Sequence, residues 1–162
     1  MTAVAAYGLR VELPRAWEAR LYRRAGPLRA AGHPEAFGHP DASVNPVLHL
    51  ANFPLPPGRG DFGTGAVERM GAAHVFVSLV EYDRAEVGRP LFADRGLPRL
   101  RVADFAPQAL QRRLPGQLGC QRFFTVGGRA MCLYVVLGSR RHAADLVDET
   151  DAVVTGLEVA AA

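Results

Sequence analysis

The chain has 162 residues, is 49% hydrophobic and carries a formal charge of +3, enough for one full core and too little for two comfortable domains. No apolar run reaches the roughly 18 residues of a membrane-spanning helix, and MTAVAAYGLRVELP lacks the charged and apolar blocks of a signal peptide, so one globular domain (1–162) in the cytoplasm is expected. All 19 basic residues are arginine, scattered among 16 carboxylates rather than gathered in a stripe, which argues against a dedicated nucleic-acid binder.

The first alternation of apolar and polar residues is Leu9, Val11 and Leu13 against Arg10 and Glu12, the period of a strand with one wet face. Trp17 to Arg24 alternates again after a turn at Pro14-Arg15-Ala16. These two strands are expected to form an N-terminal hairpin, with Trp17 as a core anchor. Residues 25–46 hold four prolines and read as an irregular loop. Within it His33, Glu35, His39 and Asp41 are nitrogen and carboxylate donors, but their spacing is not that of a helix pair, and a solvated loop is the simpler reading.

Val47 to Leu55 resumes an extended apolar segment and ends at Pro56-Pro57. A glycine-rich bend follows, then one short helix around Ala66 to Met70 and a strand over Val75 to Tyr82. Leu91, Phe92 and Leu97 are expected to tether the next segment to the domain. Pro107 predicts a short helix over Ala106 to Leu114, closed by Pro115.

Cys120 to Leu137 is two apolar runs joined by Gly127-Gly128, the signature of a two-residue hairpin. The register pairs Val126 with Arg129, Phe124 with Met131, Phe123 with Cys132 and Arg122 with Leu133. It makes both faces apolar, places the hairpin centrally in its sheet, and points Cys120 and Cys132 to opposite faces, which excludes a disulfide between them. His142 to Thr155 carries Ala143, Leu146, Val147, Thr150, Val153, Val154 and Leu157 on one stripe, and predicts the main helix, capped at Gly156 and followed by a short strand.

Gly58, Gly60 and Gly63 fit G-x-G-x-x-G after an extended run, and Glu81 lies 18 residues beyond Gly63. Such a loop can cradle a pyrophosphate on a helix N-terminus while the acid bonds a ribose. The space before Gly71 is too short for a usual crossover helix, so a plain glycine turn is favoured over nucleotide binding. Arg59-Gly60-Asp61 is an integrin-type tripeptide taken as chance. Ser43, Ser78 and Ser139 lack a nucleophile elbow, Cys120 has only Arg122 to activate it, and Glu81, Asp83 and Asp94 form no convincing carboxylate pair. No cofactor or metal is implied, and catalysis is not expected. The remaining surface chemistry is Arg99, Arg101, Arg112, Arg113, Arg140 and Arg141, with Phe92, Phe105 and Tyr134 nearby in sequence, a composition typical of protein interfaces.

The order of elements, with VELPRAWEARLYRR early, CQRFFTVGGRAMCLYVVL late, and a last helix with a short apolar tail, resembles the PsbP-like fold. That resemblance implies an α+β architecture, an antiparallel sheet of about six strands sandwiched by two or three helices. It also implies a non-enzymatic adaptor or chaperone-like protein that docks another protein on its sheet or loops. A homo-oligomer or a larger complex is the expected setting. A small-molecule or nucleotide-binding enzyme using Gly58 to Gly63 is the alternative.

Overall fold

Tyr7 and Gly8 both take positive φ, 54° and 75°, the type I′ geometry whose twist matches two antiparallel strands. Strand β1 (Thr2–Ala6) therefore folds back on β2 (Leu9–Leu13), pairing Ala6 with Leu9 and Thr2 with Leu13. Left-handed backbone is costly for a tyrosine, and the guanidinium of Arg23 sits 4.6 Å from the centre of the Tyr7 ring. The computed structural model describes residues 1–24 and 45–162.

The chain then turns through Ala16, also at positive φ (70°), and enters a second sheet. This sheet holds β3 (Glu18–Arg23), β4 (Pro46–Ala51), β5 (Val75–Glu81), β6 (Leu118–Val126) and β7 (Arg129–Leu137) in the order β3-β4-β5-β7-β6, antiparallel throughout. After β7 come helix α1 (Ala143–Thr155) and β8 (Glu158–Val159), which joins the first sheet beside β2. The expected hairpin of β2 with β3 is thus replaced by β1 with β2. The cause is the Tyr7-Gly8 turn, which supplies β2 with a closer partner than the bend at Pro14 can.

The fold is α+β and mostly antiparallel, with eight strands in two sheets and one α-helix among the described residues, where about six strands and two or three helices were expected. The segments at 66–70 and 106–114 contain only three-residue 3-10 turns, Val67–Arg69 and Pro107–Ala109. Gly65 and Gly71 bound the first and Pro107 and Pro115 the second, leaving too little length for helix propagation to repay nucleation. Helix α1 buries the expected stripe from Ala143 to Val154. Gly156 caps it at φ −84°, without the left-handed turn expected of a terminal glycine.

Both faces of the five-stranded sheet are buried. One presents Leu48, Leu50, Val77, Leu79, Leu133 and Val135 to α1 and to Leu9, Val11 and Leu13 of the smaller sheet, with Trp17 closing the rim. Trp17 donates its indole N–H to Glu149 Oε1 at 2.5 Å. The other face, with Ala51, Phe76, Tyr134 and Val136, lies under segments 52–74 and 83–117, which hold 3-10 turns and no α-helix. The Gly127-Gly128 hairpin has the predicted register, and every residue of β7 is buried. Strand β7 is interior, whereas β6 is an edge covered by bridges from Arg95 and Ala106. Both cysteines are free, buried and on opposite faces.

Candidate functional site

The six candidate arginines separate into two groups. Arg99 and Arg101 lie near the C-terminal half of α1, where Arg99 pairs with Asp151 at 2.9 Å and Arg101 approaches Asp104 at 3.7 Å. Asp104 also holds Arg122 at 2.5 Å, so this charge is largely neutralised in place. Arg112 is likewise paired, with Glu68 at 2.7 Å. Arg113 and Arg140 differ: they flank one open hollow of about 370 Å³, floored by Pro107, Leu114, Pro115 and Leu118. Both are exposed, as is Arg141, and no ion pair among the described residues engages any of the three.

The aromatic members of the expected surface are core residues instead. Phe92 is 1% exposed and packs its ring against Tyr82 and Phe123, at centroid distances of 5.2 and 5.6 Å. Tyr134 is 2% exposed, packs edge-on to Phe62, and accepts the Gln111 backbone N–H on its hydroxyl at 2.9 Å. Phe105 is buried as well. Their apolar area is worth more inside the core than at the surface, Phe92 and Tyr134 on the second face of the sheet and Phe105 on the face that carries α1.

The glycine loop is built around its own backbone. Gly60 N–H donates to the Thr64 carbonyl at 2.9 Å, Gly63 N–H to the Gly60 carbonyl at 3.0 Å, and Gly65 N–H to Glu68 Oε2 at 2.7 Å. Amides that would cradle a phosphate are therefore already used. The flanking strands β4 and β5 are antiparallel neighbours, whereas a dinucleotide-binding crossover joins parallel strands through a helix. Glu81 is occupied too, held by Arg129 in a two-point ion pair.

What anchors this loop was not visible in the motif. The Asp61 carboxylate accepts the Tyr22 hydroxyl and Arg24 Nε–H, each at 2.6 Å. Its backbone carbonyl accepts Ser78 Oγ–H at 2.5 Å and lies 2.9 Å from His49 Nε2. Arg59 Nε–H in turn donates to His49 Nδ1 at 3.0 Å, which fixes the neutral imidazole with its proton on Nε2. His49 and Ser78 are cross-strand partners and neither has any exposed surface. Burial, reinforced by the nearby Arg59 charge, pushes the His49 pKa down to about 4. Burial and then the Asp61 bond raise the Tyr22 hydroxyl.

Ser, His and Asp are the ingredients of a hydrolytic triad, but this geometry does not assemble one. The Ser78 proton and the His49 proton both go to a peptide oxygen, and the Asp61 carboxylate faces Tyr22 and Arg24. A working triad needs the histidine nitrogen free to accept from the serine. The RGD tripeptide is thus a clamp that pins the 52–74 segment onto the sheet. Its signal in sequence was the placement of two polar residues, His49 and Ser78, within otherwise apolar strands.

His33, Glu35, His39 and Asp41 lie outside the described residues. Among the described residues no group of three or more metal-ligating side chains occurs, and no helix is long and apolar enough to cross a membrane. Comparison with protein families, curated proteins and solved structures finds no match to this chain.

Proposed function

We propose that the protein is a non-enzymatic binding module, an adaptor or chaperone-like component that docks another protein on its exterior. The observation that carries this reading is the hollow between Arg113 and Arg140: an apolar floor flanked by two exposed guanidinium groups without an ion-pair partner among the described residues. Guanidinium groups bind carboxylates through two parallel hydrogen bonds, and Arg with an apolar floor is the composition of interface centres. The hollow fits an extended acidic segment that carries one or two apolar side chains. The commitment of His49, Ser78, Asp61 and Glu81 to internal bonds also supports the reading, because those side chains hold loops in place.

The test is affinity capture from cells with the full chain and with the Arg113→Glu/Arg140→Glu variant, read by mass spectrometry and confirmed by titration of the purified partner. A partner bound by the native chain and released by the double charge reversal is the expected result. Equal capture by both proteins would refute the hollow as the docking site. A nucleotide that raises the melting temperature, with no protein partner captured, would favour the small-molecule alternative.

A further inference from the structure

We infer that the free edge of β1 pairs with β1 of a second copy of this chain, joining two three-stranded sheets into one six-stranded sheet across a two-fold axis. This inference is independent of the Arg113 and Arg140 hollow. It rests on which backbone groups β1 leaves open. In a type I′ hairpin the residues flanking the turn exchange both hydrogen bonds, and bonded pairs then alternate along the ladder. Ala6 with Leu9, Val4 with Val11 and Thr2 with Leu13 are therefore the bonded pairs. The N–H and C=O groups of Ala3 and Ala5 point outward, and among the described residues no backbone group bonds to them. The same rule places Gly119 and Thr125 on the outer edge of β6, where both do bond neighbouring segments.

The other edges are guarded. Strand β3 carries Glu18, Arg20 and Arg23, β6 is bridged at both ends, and β8 has two residues. Strand β1 is TAVAA, without charge, proline or bulge, and four of its five residues are exposed. An uncharged open edge is a template for another strand unless something blocks it.

One register uses every open group. Antiparallel pairing centred on Val4 sets Ala3 opposite Ala5 of the second copy, and Ala5 opposite its Ala3, so all four outward groups on each chain are satisfied. A register centred on Ala5 sets Ala3 opposite Tyr7 of the turn, and one centred on Ala3 sets Ala5 opposite Met1, so neither keeps both bonded pairs within β1. On the buried side, this register aligns Val11 and Val4 with the second copy's Val4 and Val11, extending the apolar layer that Val4 already flanks. On the wet side each row runs Glu12, Ala3, then Ala5 and Arg10 of the second copy, so only methyl groups meet at the seam, while Arg10 stays paired with Glu12 and Glu158 of its own chain. The contact is small, so association is expected to be concentration-dependent.

Sedimentation of the full chain from about 1 to about 500 µM tests this, with the expected mass rising from 17.5 kDa toward twice that value. Ala5→Pro removes only an outward N–H and leaves the β1–β2 ladder intact; it should raise the dissociation constant at least roughly tenfold. Ala3→Lys serves the same purpose should the proline variant lose its fold by circular dichroism. Amide exchange at Ala3 and Ala5 should slow as concentration rises. A chain that stays monomeric over the whole range, or a dimer that survives a folded edge variant, overturns the inference. Arg113→Glu/Arg140→Glu should leave self-association unchanged, which separates this result from the partner-binding reading.

Discussion

Arg129 grips Glu81 through two parallel hydrogen bonds, Nε to Oε1 at 3.0 Å and Nη2 to Oε2 at 2.8 Å. The same guanidinium donates to the carbonyls of Tyr7, Gly8 and Ala160. One side chain of the large sheet thus holds both the first hairpin and the tail that carries β8. The Arg129 and Glu81 side chains are 8% and 15% exposed, so solvent screens the pair little. Arg129→Met should cost about 3 kcal/mol or more, because it leaves the Glu81 carboxylate without its guanidinium and removes a donor from the Tyr7 and Ala160 carbonyls, while the Gly8 carbonyl keeps the Ala160 N–H. Arg129→Met with Glu81→Leu should cost less than the single change. Urea unfolding of the three proteins measures both effects.

Stability should depend on pH through His49. In the unfolded chain its imidazole titrates near 6.5, and in the folded chain at about 4. Between those values the unfolded state binds more protons, so stability rises with pH. The His49 contribution is complete above about pH 6.5, declines as pH falls through that window, and is gone below about pH 4, a span of roughly 3 kcal/mol at most. His49→Gln keeps one donor and one acceptor and should flatten the slope. Urea midpoints from pH 3.5 to pH 7.5, native against variant, check this; identical slopes would refute it.

The glycines of the loop should separate by structural need. A Cβ on Gly63 would lie 2.5 Å from Phe76 Cε1, at φ +93°, and one on Gly65 would lie 2.2 Å from the Gly58 carbonyl oxygen. Phe76 is fully buried and cannot give way, so Gly63→Ala should cost about 2 kcal/mol or more. Gly58 has nothing within 4 Å of its would-be Cβ, and Gly58→Ala should stay within about 0.5 kcal/mol of the native chain. A nucleotide-dependent rise in melting temperature that Gly58→Ala abolishes would contradict this division and favour a phosphate-binding loop.

The thiols should be unreactive. Burial pushes Cys120 up to about 11 and Cys132 up to about 12, and Arg122 only partly offsets the effect at Cys120. Alkylation by iodoacetamide near pH 8 should be slower than in urea by roughly a hundredfold for both, since the thiolate is the nucleophile. Rapid labelling of either thiol in the folded chain would disprove the assignment.

The parts of the fold readable in the residues were those set by local rules. The glycine-linked hairpin, its register, the opposed cysteines and the apolar stripe of α1 all follow from turn chemistry and periodicity over adjacent residues. Strand β1 was not read because alanine is a poor strand former, and only the Tyr7-Gly8 turn reveals it. The surface was less legible. Arginine and aromatic residues near one another in sequence suggest a patch, yet Phe92 turns inward onto, and Tyr134 projects from, a sheet face that no α-helix among the described residues covers. The Asp61 clamp joins positions 22, 24, 49, 59, 61 and 78, a convergence that depends on strand order, which periodicity does not encode.

Strand β7 sits between β5 and β6, and its nine residues are all buried. During synthesis, residues 1–128 therefore emerge without the strand that joins the two halves of the large sheet, and the edge of β5 stays open until Arg129 to Leu137 leaves the ribosome. Assembly of the molecule is consequently a late, concerted event, and chains truncated before Arg129 should be cleared as unfolded material rather than persist as a smaller domain.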